Sequence, residues 1–279
     1  MTVFRADAVR TPAVSPRRLV LVGHPVAHSL SPIFQNAALE AAGLSVSYEA
    51  IDVEPSSVKS ILESFKESGV AGNVTIPHKV AVHNACDDLT ELAARVRAVN
   101  TFWVDSGRLV GDNTDVAGFT AAAAALLQND FRSARVVILG AGGAAAAILA
   151  AVTDWPAATA TVASRDFDRA LALARRFPDV GRAEMDMGRA LSAATLVVNA
   201  TPIGQYDNAH PIDLEKVAPA AAVMDLVYRR GGTAWVKSAR EKGFRAADGL
   251  EMLIEQGALS FNRWFGIQPD REVMRRSVS

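Results

Sequence analysis

Two hydrophobic periods alternate along this chain, one of strand type and one of helix type. Leu19-Val20-Leu21-Val22 is a short buried-strand run ended by Gly23. Ser31-Pro32 then predicts a helix start, with Ser31 as N-cap and Pro32 at the first helical position. Apolar residues recur to Ala42, and Gly43 is the stop. Val46 to Val53 alternates as a strand, Val58 to Phe65 has helical spacing and ends near Gly69, and Gly72-Asn73-Val74-Thr75-Ile76 is a strand stopped by Pro77. Strand, helix, strand, helix, strand implies a parallel or mixed α/β sheet. Val99–Val104 and Arg108–Gly111 predict a hairpin about Asp105-Ser106-Gly107, and Ala117–Leu127 an alanine-rich helix.

A second α/β unit follows. Arg135–Leu139 reads as a strand, Gly140–Gly143 as a tight turn and Ala144–Val152 as a helix. Thr159–Ala163, Leu196–Ala200 and Ala222–Leu226 are further strands, Asp168–Phe177 a helix, and Gly249 to about Phe265 the last helix. This repetition is a doubly wound layout. Residues 1 to about 18, with Pro12 and Pro16 and little periodicity, predict a loose arm.

Composition narrows the class. The chain has 279 residues, half of them hydrophobic, which is enough to bury a real core and excludes a disordered protein. Its 29 Lys and Arg against 30 Asp and Glu give a net charge of −1, so no excess charge points to nucleic acid or an anionic membrane. A single cysteine, Cys86, excludes an internal disulfide and fits a reducing compartment. The most apolar stretch, Val136–Val152, is interrupted by Gly140, Gly142 and Gly143 and falls short of the roughly 20 residues of a membrane span. The N-terminal stretch carries Arg5, Asp7 and Arg10 without an apolar segment, so no secretory signal is expected and a cytoplasmic location is the default.

Gly140-Ala141-Gly142-Gly143-Ala144-Ala145 fits a dinucleotide fingerprint, directly after a strand and opening a helix. The first glycine permits the sharp turn, the second lets backbone approach a pyrophosphate, and Ala145 lets helix and strand pack closely. The tip of the next strand reads Ser164-Arg165-Asp166, with Arg169 one turn on. Ser164, Arg165 and Arg169 suit the 2′-phosphate of NADP, whereas an acidic Asp166 facing the ribose suits NAD. Asp166 as an N-cap is the other reading of that residue.

Polar residues cluster at predicted strand ends: His28-Ser29-Leu30-Ser31, Asn73 to Lys79, Asn100-Thr101 and Asn113-Thr114-Asp115. Such groups suit a polyhydroxylated, anionic small molecule; singly, each is equally ordinary turn chemistry. No spacing suggests a metal site.

Together these segments resemble the shikimate dehydrogenases. Gly23 to Pro32, Asn73 to Lys79, Ala98 to Thr101, Gly111 to Asp115, Gly140 to Ala144, Asn199 to Gly204, Asp225 to Tyr228 and Asp248 to Gln256 occur in that family's order. The resemblance implies an N-terminal α/β substrate domain plus a Rossmann-like doubly wound NADP-binding domain with a cleft between them. It places the substrate domain at residues 1–116 plus 250–279 and the cofactor domain at 117–249. It implies reduction of 3-dehydroshikimate to shikimate with NADPH, on the way to chorismate and the aromatic amino acids, by a monomer or homodimer without nucleic-acid or membrane partners.

Carried over residue by residue, Ser29 and Ser31 match the carboxylate-binding pair. Thr75, Asn100, Asp115 and Gln256 match residues bonding the ring hydroxyls, Lys79 matches the catalytic lysine acting with Asp115, and Tyr228 matches a tyrosine near the substrate carboxylate. On the cofactor side are Gly140, Ala141, Gly142, Gly143 and Ala144; Ser164, Arg165 and Arg169; Asn199, Thr201 and Gly204; and Leu226 and Gly249. Two departures stand out: Ser164-Arg165-Asp166 where the family usually begins Asn-Arg-Thr, and His78 where an aromatic residue often precedes the lysine. An NAD-preferring quinate/shikimate dehydrogenase and a catalytically silent relative are the alternatives. A Lys-Asp pair either gives up a proton to the forming alcohol or only polarises the ketone; the sequence leaves both open.

Overall fold

The protein is described by a computed structural model covering residues 2–4 and 15–278. The chain folds into two compact units, Met1–Thr114 with Ile254–Ser279, and Asp115–Leu253.

The first unit is built on β1 (Thr2–Phe4), β2 (Leu19–Gly23), α1 (Ser31–Ala41), β3 (Tyr48–Asp52), α2 (Val58–Ser68), β4 (Ala71–Val74), α3 (Lys79–Ala85), β5 (Asp88–Thr90), α4 (Glu91–Val96), β6 (Thr101–Asp105) and β7 (Arg108–Asp112). Its seven strands run in the order β1-β5-β7-β6-β4-β2-β3, parallel except for β6, which is antiparallel to both neighbours. The β6–β7 hairpin turns on Ser106 and Gly107, both at positive φ (51° and 75°), the backbone of a tight two-residue turn. Val20, Val22, Leu62, Phe65, Val74, Leu89, Phe102 and Leu109 form its core under α2 and α4.

Three expectations are corrected. Thr2–Phe4 is a strand, not part of a loose arm: it pairs in parallel with β5, whose backbone would otherwise be an open edge, while residues 5–14 of that arm lie outside the described residues. Ser31 is not the N-cap of α1 but its first residue. The preceding Ser29 Oγ accepts the Ser31 amide at 3.2 Å, leaving the Ser31 hydroxyl to other use. Residues 79–96 carry two short helices and a strand that the pattern did not disclose.

The second unit comprises α5 (Asp115–Leu127), β8 (Arg135–Leu139), α6 (Gly143–Thr153), β9 (Thr159–Ala163), α7 (Phe167–Ala174), β10 (Gly181–Ala183), α8 (Gly188–Ser192), β11 (Leu196–Asn199), β12 (Ala222–Asp225), α9 (Ala234–Glu241) and β13 (Arg245–Ala247). Its six strands are all parallel, in the order β10-β9-β8-β11-β12-β13. Counted within the unit this is 3-2-1-4-5-6, the doubly wound dinucleotide order. Eight consecutive residues of α6, Ala145–Val152, are buried, and its alanines let it pack closely on α5. At the far edge, a Cβ on Gly249 would lie 2.2 Å from the Leu226 carbonyl oxygen, so only glycine fits beside that strand end.

The chain returns to the first unit through α10 (Leu250–Phe265) and ends in α11 (Arg271–Val278). Polar bonds to buried groups fasten α10 to the first sheet. Asn73 Nδ2 donates to Ser260 Oγ at 2.8 Å, and the Thr101 and Ser260 hydroxyls are 2.7 Å apart. Arg263 Nε donates to the buried Asp112 carboxylate at 2.8 Å, Trp264 Nε1 to Phe102 O at 3.2 Å, and Gln35 Nε2 to Gly257 O at 3.0 Å. Cys86 lies in the core, and burial pushes its thiol up to about 12, the state of an inert structural side chain.

Removing the Ser260 hydroxyl takes one buried partner each from Asn73 and Thr101, which keep their other bonds. Ser260→Ala should therefore destabilise the protein by about 0.5–1.5 kcal/mol, read as a lowered denaturant midpoint. An unchanged midpoint would mean that the network does not anchor the helix.

Candidate functional site

In the first unit the expected substrate residues gather at one end of the sheet. The turn after β2 carries Ser29 and Ser31, and the turn after β4 carries Thr75 and leads to Lys79. The two turns are joined by backbone bonds, Thr75 N to Val22 O (2.9 Å) and His24 N to Ile76 O (3.0 Å). Lys79 opens α3, and its carbonyl accepts the Val99 amide at 2.9 Å, which sets it beside Asn100. Asn100 in turn bonds the next strand and the returning helix: its Oδ1 accepts the Thr114 amide at 2.7 Å, and its Nδ2 donates to Gln256 Oε1 at 3.1 Å. Thr75, Lys79, Asn100 and Gln256, from three separate stretches of sequence, are thus brought together. Carboxyl ends of parallel strands are where open α/β sheets bind ligands.

His78, the departure noted before the lysine, is 1% exposed, and its Nε2 bonds the Val53 carbonyl at 2.7 Å. An imidazole tying α3 to the end of β3 explains the position without any contact to a ligand. His24 meets Asp52 through Nδ1 at 2.5 Å, and the same carboxylate accepts the Val26 amide. Asp52 therefore holds the turn that carries Ser29. The hydrogen bond to Asp52 raises the His24 pKa above its usual value, and the reverse effect lowers that of Asp52.

Asp115 and Tyr228 belong to the second unit. Asp115 is buried in the first turn of α5, and Tyr228 follows β12, half-buried. In that unit the glycine turn lies between β8 and α6, at the point where the strand order reverses. Gly140 has φ +116°, and a Cβ there would sit 2.8 Å from Ala200 O, so the turn is pressed against the segment after β11. A Cβ on Gly142 would meet no protein atom within 4 Å. Open space over that glycine, at the start of an 11-residue helix whose first amides have no intrahelical acceptors, would suit a pyrophosphate.

At the tip of β9, the Asp166 carboxylate accepts the Arg169 amide at 3.0 Å as the N-cap of α7. Arg169 Nε donates to Ala141 O at 3.2 Å, and Arg165 is exposed. Arg169 therefore reaches the glycine turn, while the acidic group is engaged with the helix. The donor set fits a 2′-phosphate dinucleotide.

Asn199 ends β11, fully buried. Its Oδ1 accepts from Thr201 N (3.0 Å) and Thr201 Oγ1 (2.6 Å), and its Nδ2 donates to Ile203 O (3.1 Å) and Asp225 Oδ1 (2.8 Å). Four bonds use the whole capacity of an amide, so Asn199 shapes the turn to Gly204 (φ +86°) through protein contacts. Asp225 and Asp248 were not singled out as site residues. Burial raises both carboxyls above their usual range, and the charge of Asp248 adds to the effect on Asp225. The available signal was a charged residue ending an otherwise apolar strand, Ala222-Val223-Met224-Asp225. Among the described residues no cluster of three or more His, Cys, Asp and Glu side chains is placed to hold a metal ion, and no helix is long and apolar enough to cross a membrane.

Three family models match the chain: shikimate dehydrogenase substrate binding domain over residues 21–102, shikimate/quinate 5-dehydrogenase over 122–212, and shikimate 5′-dehydrogenase C-terminal domain over 249–278. A shikimate dehydrogenase (NADP(+)) of Exiguobacterium sp. is 38% identical, the match covering 93% of this chain and 97% of the relative. That of Geobacillus kaustophilus is 35% identical, covering 92% and 96%. The crystal structure of shikimate 5-dehydrogenase from Thermus thermophilus in complex with NADP(H) and shikimate superposes with a TM-score of 0.84 at 38% identity, covering 94% of this chain and 98% of that one.

The Asp52 contact makes a prediction for the Ser29 turn. His24 in the folded protein should titrate above the value it has in the unfolded chain, and Asp52→Asn should bring it back, as read by NMR. Its contribution to stability is then present below the unfolded pKa and lost as pH rises through the raised folded value. The side chains are exposed, so the change is small; an unshifted His24 in the wild type refutes the contact.

Proposed function

The chain belongs to the shikimate dehydrogenase family, and we propose that Lys79 and Asp115 carry its reversible reduction of 3-dehydroshikimate to shikimate. The protein is an oxidoreductase with NADP as its cofactor. The observation that carries the residue assignment is the gathering of Thr75, Lys79, Asn100 and Gln256 at one end of the first sheet, with Ser29 and Ser31 on the adjoining turn.

In this reading residues 1–116 with 250–279 bind substrate, and 117–249 bind the cofactor; the compact units differ from this only at the margins, Asp115 falling in the second. Ser29 and Ser31 hold the carboxylate of the acid, with Tyr228 near it. Thr75, Asn100, Asp115 and Gln256 bond the ring hydroxyls. Gly140 to Ala144 take the pyrophosphate on the amides of α6, and Ser164, Arg165 and Arg169 take the adenosine phosphate. Asn199, Thr201, Gly204, Leu226 and Gly249 shape the nicotinamide side. Bound NADPH supplies the hydride.

The protein's part is to orient the ketone and to meet the charge that grows on its oxygen. The Lys79 ammonium gives a proton to that oxygen, with Asp115 as the second polar group of the pair. A donor aimed at developing charge lowers the barrier more than it aids binding. The neutral amine left on Lys79 takes the hydroxyl proton back in the reverse direction. The NADP-preferring reading is favoured over the NAD alternative by the relatives named for NADP(+), and the Asp166 cap gives that carboxylate a role at the start of α7 that needs no ribose. A cytoplasmic setting accords with a soluble cofactor and substrate.

The first test is shikimate-dependent reduction of NADP and of NAD by the purified protein. Turnover with NADP and not NAD is expected. Lys79→Ala should lower kcat and kcat/KM together, by about a hundredfold or more, with a smaller change in KM. A raised KM with unchanged kcat would make Lys79 a binding residue only.

Arg165→Ala should weaken NADP about ten- to a hundredfold and leave NAD almost unchanged, because a charged hydrogen bond is worth about 1.5–3 kcal/mol. Equal weakening of both cofactors would show that the guanidinium stacks on adenine and does not read the phosphate.

A further inference from the structure

Asp225 carries a charge where the rest of its strand is apolar. It is fully buried at the end of β12, beside Asn199 at the end of β11 in the parallel register. Three donors converge on it. Oδ1 accepts from Asn199 Nδ2 at 2.8 Å and from the Val227 amide at 3.1 Å, and Oδ2 accepts from Thr233 Oγ1 at 2.8 Å. We propose that Asp225 is a positioning residue for hydride transfer, fixing the Asn199–Gly204 turn and the Val227–Tyr228 segment in one mutual arrangement. This rests on the reading that those segments face the nicotinamide and the substrate carboxylate.

Each contact passes an orientation on. Asn199 spends its other three bonds on Thr201 and Ile203, and Thr201 Oγ1 accepts the Ile203 amide at 3.2 Å. The bond from Asp225 therefore decides which end of the Asn199 amide faces the turn. With Nδ2 drawn to the carboxylate, Oδ1 is left for Thr201. Thr233 Oγ1 already accepts the Val236 amide at the start of α9, so its proton goes to Asp225. The Val227 amide is held two residues from the carboxylate, which sets the direction in which Tyr228 leaves the strand. An amide in place of the carboxylate would turn its own N–H groups against at least one of three donors. A carboxylate, acceptor-only, satisfies all of them. Nothing in this set of contacts reaches the Ser164–Arg169 end of the cofactor site.

That separation supplies the test. NADP and adenosine 2′,5′-bisphosphate, which carries the phosphate end but no nicotinamide, are titrated into the wild type and Asp225→Asn, alongside steady-state kinetics. The variant is expected to bind the bisphosphate as the wild type does, to bind NADP about tenfold more weakly, and to lose about tenfold or more in kcat. Equal effects on the two ligands, or wild-type kcat and NADP binding, overturn the proposal. If Asp225→Asn does not unfold cooperatively, the same measurements on Thr233→Val decide. This variant removes the Oδ2 donor together with the cap on the Val236 amide, so its cooperative unfolding is checked first: a lowered kcat with unchanged bisphosphate binding supports the proposal, and an unchanged kcat overturns it. If the wild type lacks turnover with shikimate, the substrate reading fails, while the NADP-against-bisphosphate difference still reports on Asp225.

Discussion

A side-chain amide buried away from water must find partners for all its polar atoms or destabilise the fold by several kcal/mol. Asparagine meets that demand at the strand ends of both units. Asn73 Oδ1 accepts the Tyr48 hydroxyl at 2.9 Å while its Nδ2 reaches Ser260 and the Asn100 carbonyl, and Asn199 uses all four of its valences on its own turn and Asp225. Because an amide has distinct donor and acceptor ends, each such residue fixes direction as well as distance. The segments attached to them inherit that direction: Asn100 and Gln256 in the first unit, Thr201 to Gly204 in the second. Loops that would otherwise sample many conformations are held before any ligand arrives, which is the condition for donors to act on a transition state without reorganising.

On the proposed reading the two units would meet the problem of binding an anion differently. In the first, hydroxyls and amides on turns would do the work, and a mixed sheet with polar strand ends supports them. In the second, backbone would do it: Gly140 is forced against Ala200, Gly142 faces open space, and a helix of small residues brings its N-terminal amides to the same place. A carboxylate on a rigid ring can be recognised by two serines, whereas a flexible diphosphate is bound with less loss of freedom by amides that are already aligned.

In the second unit four of the six strands were legible, because β8, β9, β11 and β12 are largely apolar runs; β10 and β13, three residues each with an arginine, were not. β8, β9, β11 and β12 fall within a residue or two of expectation, and so does the hairpin on Ser106-Gly107. Residues 79–96 were not legible. α3, β5 and α4 are too short to show a period, and they are held by tertiary bonds such as the Thr90 cap on Ala93. Most of the residues singled out lie in quoted motifs, although Asp225 and Asp248, which lie in them too, were passed over. Ser260, Thr233 and Asp52 were missed, because each acts on another protein group and looks, in sequence, like an ordinary polar residue in a helix or turn. Ser31 was misjudged for its place, since the helix starts one residue earlier than expected and Ser29 Oγ accepts the Ser31 amide itself.

Asp166 shows why a motif alone stops short of cofactor choice. An acid at the tip of the second strand is the mark of NAD when its carboxylate meets the ribose, and says nothing of the kind when it caps a helix. In this protein Asp166 Oδ1 is bonded to the Arg169 amide, and Arg169 Nε to the Ala141 carbonyl of the glycine turn. The cap thus does more than withdraw a negative charge. It starts α7 at the register that carries Arg169 back to the turn, so the residue that looked discordant is the one that sets where this cation meets the glycine loop.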